Sequence, residues 1–131
     1  MSTAAAVVTR PAEGRDLRSV LAELLRLDHL IGGLVVAPDG LLIAANLPRE
    51  VEAEPLSAVA AALGRELELH GPRLRRGTFP TAQFASVSGS AFLGSTPVGY
   101  IVLLGEPRAD WEAVRSELRG ALGRVYRAWA G

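Results

Sequence analysis

Neither cysteine nor lysine occurs among the 131 residues, and histidine occurs only twice. Without cysteine there is no disulfide, thiol nucleophile or thiolate metal site. Without lysine there is no phosphate loop of the G-x-x-x-x-G-K-[ST] type, whose lysine pairs the phosphates. Aromatic residues make up only 5% of the chain, and no apolar run approaches the roughly 20 residues that a membrane helix needs. Charge of one sign is also missing: 14 arginines balance 14 acidic residues. No net field therefore draws the chain to nucleic acid or anionic lipid, and neither partner nor membrane insertion is expected. The apolar stretch Ala4–Val8 is too short and too weakly charged at its start for a secretion signal, which predicts a cytoplasmic protein.

The length suits one domain with a proper core, and 49% apolar residues argue against disorder. Residues 1–14, with Pro11 and Gly14, are expected to form a flexible lead-in, and residues 15–131 a single domain. Leu17, Val20, Leu21, Leu24 and Leu27 recur at helical spacing, and Gly32-Gly33 is expected to stop that helix. Leu34-Val35-Val36 and Leu41-Leu42-Ile43 flank Pro38-Asp39-Gly40, a hairpin signal. Both runs are apolar without alternation, so helices should cover both faces of the sheet.

Pro55 suits the first turn of a second helix. Leu56, Val59, Ala60, Leu63 and Leu67 form the stripe expected to face the sheet, and Ala58, Ala61, Ala62, Arg65 and Leu69 a second, Ala-rich stripe on the opposite face. Small residues there would let another helix approach closely. Gly71-Pro72 ends the helix, and three strands follow at about Thr81–Ser88, Ser90–Thr96 and Gly99–Leu104. The last is the most apolar and should lie centrally, whereas the small, polar Thr81–Ser88 reads as an edge. Asp110 is expected to cap a final helix whose stripe runs from Trp111 to Trp129.

Catalytic sets are missing. His29 and His70 have no carboxylate or second histidine at metal spacing, and His70 falls on the expected core-facing stripe. Ser86, Ser88, Ser90 and Ser95 lack a nucleophile elbow. The glycine-flanked segment Gly94–Gly99 sits between strands, without the helix N-terminus that phosphate binding uses. Arg73, Arg75 and Arg76 form a basic cluster, read either as a solvated turn or as a contact for an acidic partner surface or a phosphate. No cofactor, metal or catalytic residue is expected.

The helix before Gly33, then Leu34-Val35-Val36, Asp39-Gly40 and Leu42-Ile43-Ala44, the Ala-rich second helix and the Gly99–Leu104 strand together resemble the roadblock/dynein light chain family. The resemblance spans residues 15–129. It implies an α+β sandwich in the order α-β-β-α-β-β-β-α: a five-stranded antiparallel sheet with one helix on one face and two on the other. It also implies dimers in which second helices pack across a two-fold axis and third strands join edge to edge. On that basis Ala58, Ala61, Ala62, Arg65, Leu69, Gln83 and Ala85 are the expected dimer interface, with Arg73, Arg75 and Arg76 as candidate partner contacts. Members of the family, including one subgroup tied to bacterial gliding motility, are associated with small Ras-like GTPases. The function implied is a non-catalytic dimeric module, homodimeric in the first instance, that binds and regulates such a GTPase. The alternative is a small-molecule sensing domain of similar architecture.

Overall fold

The computed structural model describes residues 11–74, 81–97 and 99–130. Helix α1 spans Pro11–Leu24, strand β1 Leu30–Val36 and β2 Leu42–Asn46. Helix α2 spans Ala53–His70 and is followed by a short 3-10 turn at Pro72–Leu74. Strands β3 Thr81–Ser86, β4 Gly89–Thr96 and β5 Gly99–Gly105 precede helix α3, Trp111–Ala130. The five strands form one sheet in the order β2-β1-β5-β4-β3, with every neighbouring pair antiparallel. As its composition predicts, β5 is central and β3 lies at an edge. The roadblock-like order and layering expected from the sequence are those observed.

The alternation of the strands divides the core in two. On one face Val35, Ile43, Phe92, Ile101 and Leu103 pack under α1 and α3, meeting Leu17, Leu21, Val114 and Leu118. On the other, Leu34, Val36, Leu93, Tyr100 and Val102 pack under α2. The apolar runs of β1 and β2 are covered on both sides, which is why neither alternates. The hairpin closes as read: Ala37 N–H donates to Leu41 O at 2.8 Å, Leu41 N–H donates to Asp39 Oδ1 at 3.0 Å, and Gly40 takes a φ of +93°.

Three boundaries differ from expectation. Helix α1 begins at Pro11 rather than near Arg15, so residues 11–14 are helical and not lead-in; residues 1–10 lie outside the described part. Proline fits a first helical turn, where its missing N–H costs nothing. At the other end, Gly32-Gly33 does not stop α1 but lies inside β1. The helix ends at Leu24 through tightened i→i+3 bonds, Arg26 N–H to Glu23 O and Leu27 N–H to Leu24 O, both 3.1 Å. His29, at a φ of 69°, supplies the left-handed turn that had been expected of glycine. Strand β3 ends at Ser86, two residues early, because Ser86 already turns the chain.

Asp110 caps α3 as predicted, with its Oδ1 accepting from Glu112 N–H at 3.0 Å. The Trp111 ring stacks on Phe92, with centroids 5.4 Å apart and planes 8° apart, which closes the α3 side of the core. The Trp129 side chain lies outside the described residues.

Candidate functional site

Among the described residues no cluster of three or more His, Asp or Glu could hold a metal ion. The two histidines make only peripheral contacts. His29 Nδ1 stands 4.0 Å from Glu106 Oε2, and His70 Nε2 stands 3.2 Å from Glu66 Oε1 one turn back along α2, so His70 does have a carboxylate at helical spacing, contrary to the sequence reading, but no third ligand beside the pair among the described residues. His70 is therefore half exposed beside its own helix rather than on the core face where its spacing had placed it. Gly94–Gly99 is the end of β4, a turn and the start of β5. What remains is surface, and the informative surface lies along α2 and β3.

The rotation of α2 differs from the sequence reading. Its buried residues are Ser57, Ala60, Ala61 and Gly64, so of the stripe expected to face the sheet only Ala60 is fully buried. Close approach is the reason: a Cβ at Gly64 would stand 2.5 Å from the Tyr100 ring, so only a glycine lets α2 settle on that ring. Ala61, expected on the outer face, is only 1% exposed and belongs to the core under α2. Val59, expected to face the sheet, is 62% exposed. Leu56 and Leu67 are half-buried at the edge of that core. Ala58, Ala62, Arg65 and Leu69 do lie on the outer side of the helix. The Arg65 guanidinium donates to the Pro38 carbonyl, which turns that flank toward the β1–β2 hairpin.

The opposite flank is open and apolar. Leu56, Val59 and Leu63 of α2 form one wall of a groove of about 210 Å³; Phe84, Leu93 and Val102 form its floor and far wall. Phe84 is 42% exposed. In register it pairs with Ala91, which puts it on the α2 face, whereas Gln83 pairs with Phe92 and Ala85 with Ser90, on the α3 face. Gln83 and Ala85 are both exposed on this edge strand. Among the described residues no strand lies beside the outer edge of β3. The other sheet edge, β2, has five residues and is flanked by Pro38 and Pro48, which discourages further pairing. Arg73 lies exposed in the 3-10 turn after α2; Arg75 and Arg76 fall outside the described residues.

Sequence reasoning missed Val59, Leu63 and Phe84 as surface residues. The signal for Phe84 was present, as a lone aromatic in an otherwise small, polar edge strand. For α2 the signal misled, because summed hydrophobicity weights leucine over glycine and alanine, and contact with the sheet here selects small residues.

Beneath α2, the Tyr100 hydroxyl donates to Glu68 Oε1 at 2.6 Å. Burial, reinforced by the Glu68 carboxylate, pushes the phenol well above its usual value. The unfolded chain releases this proton near pH 10 while the folded chain keeps it, so the unfolded state binds fewer protons and stability falls as pH rises above about 10. Tyr100→Phe is expected to cost about 1 kcal/mol at neutral pH through the lost hydrogen bond. It should also flatten the alkaline decline, by about 1.4 kcal/mol in total between pH 9 and 11, measured by denaturant unfolding across that window, roughly one unit either side of that proton's release.

No protein-family model matches the chain. Two curated relatives, the uncharacterized proteins MJ0310 and MJ1340 of Methanocaldococcus jannaschii, are each 27% identical over 106 residues, covering 81% of this chain and 93% of theirs. Among solved structures, Myxococcus xanthus MglB superposes with a TM-score of 0.81 at 14% identity, covering 95% of both chains. A structure of MglB with tetrameric arrangement gives 0.78 at 16% identity, again covering 95% of both chains. A Roadblock/LC7 domain from Streptomyces avermitilis gives 0.73 at 18% identity, covering 86% of this chain and 97% of that one. At such identities the likeness is one of fold, and the chain has the fold of the roadblock/LC7 domain.

Proposed function

We propose that this chain is a non-catalytic roadblock-family module that self-associates as a dimer and, in that form, binds and regulates a small Ras-like GTPase. The observation that carries the reading is the apolar groove between α2 and β3, lying beside an unpaired strand edge. A groove walled by Val59 and Leu63 on a helix, next to a free β edge, suits a second copy that brings the same pair of elements across a two-fold axis. Ala62 on the helix and Gln83 and Ala85 on the strand would flank this contact, while Leu69 lies beside Ala58 around the helix, away from the groove. Ala58 and Arg65 lie on the hairpin side of the helix, and buried Ala61 supports it from beneath. The resemblance to a family associated with such GTPases supports the partner, and the MglB structure with tetrameric arrangement supports self-association in a protein of this fold. Arg73, Arg75 and Arg76 remain candidate contacts for an acidic or phosphate-bearing partner surface.

A small-molecule site fits less well. The groove is smaller than the roughly 300–1,000 Å³ usual for ligand pockets and has no convergent polar groups, and the larger depression of about 420 Å³ at the β3–β4 turn is shallow and open rather than enclosing.

The discriminating experiment is affinity capture from native cell extract with GDP or a non-hydrolysable GTP analogue. Retention of one GTPase in only one nucleotide state supports the reading; a co-purifying small molecule supports the alternative. The purified protein is itself expected neither to bind nor to hydrolyse GTP, for want of a phosphate loop and of any lysine. Nucleotide turnover that persists through repurification would contradict this.

A further inference from the structure

Helix α2 sits on the sheet through Ser57, Ala60, Ala61 and Gly64. Side chains this small raise no ridge that interlocks with the strands below, so that contact does little to fix the roll of the helix about its own axis. One large side chain engages it, the Tyr100 ring in the notch at Gly64. Two side-chain hydrogen bonds then hold the flank of α2 that faces the β1–β2 hairpin. The Arg65 guanidinium donates to the Pro38 carbonyl, and the Tyr100 hydroxyl donates to Glu68 Oε1 at 2.6 Å. At about 100° per residue, Arg65 and Glu68 stand roughly 120–180° around the helix from Val59 and Leu63. Ties and groove wall thus lie on opposite flanks of one helix, with the Tyr100 ring as the fulcrum between them.

We infer that Arg65 and Glu68 are positioning residues for the α2–β3 groove: their bonds to the hairpin and to Tyr100 fix the roll of α2, and so set where Val59 and Leu63 stand over Phe84. Neither residue lines the groove itself. Both side chains are exposed, so either can be replaced without opening a cavity in the core. Losing a tie lets α2 roll on the Tyr100 ring, and the groove wall then has no single position. That freedom must be frozen out whenever a partner seats in the groove, and the ordering opposes association. The hairpin, on the far side of α2 from the groove, is thereby coupled to what the groove binds. The effect on assembly rests on the proposed dimer; the effect on the groove does not.

Methyl NMR of the full chain carrying Val59→Arg tests this without needing the dimer. The Leu63 methyls share the groove with the Phe84 ring, whose field makes their signals sensitive to the roll of α2. Adding Arg65→Ala or Glu68→Ala is expected to displace or broaden those signals. Glu68→Gln loses the same charge as Glu68→Ala but still accepts the Tyr100 hydroxyl, so it should leave them in place. With Val59 intact, sedimentation should show the two alanine variants raising the dimer dissociation constant about fivefold, the equivalent of one hydrogen bond, and Glu68→Gln leaving it unchanged. Charge alone does not imitate this pattern, because the two alanine variants remove charges of opposite sign. Leu63 signals unmoved by both alanine substitutions overturn the inference, whether or not the chain dimerises. Displaced signals with an unchanged dissociation constant overturn its link to assembly. A wild-type chain that stays monomeric removes the dimer reading instead, and the Leu63 signals still decide whether the ties set the groove.

Discussion

Val59→Arg is expected to abolish the α2–β3 dimer while leaving each chain folded. At 62% exposure the valine contributes little to the monomer, so its loss alone should shift stability by no more than about 0.5 kcal/mol. In the proposed dimer the same position would be closed off from water, and an unpaired guanidinium there would cost several kcal/mol. The two-fold axis introduces two such charges per dimer. A penalty of about 4 kcal/mol weakens association roughly a thousandfold, enough to turn a micromolar dimer into a monomer. Sedimentation should report half the mass, with an unchanged circular dichroism spectrum and melting temperature.

Neighbouring positions sharpen the result. Ala62→Arg, also on the outer side of α2, should weaken the dimer. Ala58→Arg lies about 100° further around the helix from Val59, toward the hairpin flank, and should weaken it least. Ala61→Arg should not give a folded monomer at all, since at 1% exposure its side chain points into the core beneath α2. If Val59→Arg remains a dimer at low micromolar concentration with wild-type melting, the groove is a solvated helix flank and the dimer reading through this face is lost.

Most of the architecture was legible from local signals that agree with one another. Uninterrupted apolar runs at 34–36 and 100–104 identify strands buried on both faces, and Asp110 marks the start of α3 before any tertiary contact is considered. Where local signals were weak, tertiary contacts decided. Nothing about His29 as a residue type announces a left-handed conformation; it adopts one where the chain must turn from α1 into β1, and its carbonyl accepts Glu106 N–H at 2.8 Å. The surface was harder to read than the core for the same reason. Which flank of α2 faces water depends on how closely the helix sits on Tyr100, and that distance is set by Gly64, a residue with no hydrophobic weight. A helix that packs through Ser57, Ala60, Ala61 and Gly64 releases its larger side chains to its flank, so Val59 and Leu63 look like core in the sequence and form the groove in the fold.

Gly64 therefore yields a prediction whose sign runs against helix propensity. In an exposed helix, glycine to alanine stabilises by up to about 1 kcal/mol. Gly120 of α3 is such a position: its added Cβ would meet nothing nearer than the Arg124 guanidinium at 3.9 Å, an ordinary van der Waals distance, so Gly120→Ala should raise the melting temperature by a few degrees. Gly64→Ala should lower it. The new methyl would stand 2.5 Å from Cε1 and Cζ of Tyr100, and that ring cannot easily swing away. It is buried on a central strand, and its hydroxyl is tied to Glu68 at 2.6 Å. The strain is relieved only by lifting α2 by about 1 Å, which loosens the contacts of Ala60 and Ala61 with Leu34, Val36 and Val102 in a core with no slack. Overpacking of this kind costs about 1–3 kcal/mol or more and outweighs the propensity gain, and Gly64→Val, with two further methyls against the ring, should cost more again. Thermal unfolding of the three variants measures the difference. A Gly64→Ala chain as stable as Gly120→Ala would mean that α2 does not rest on Tyr100, and the groove beside it would lose the wall that Val59 and Leu63 provide.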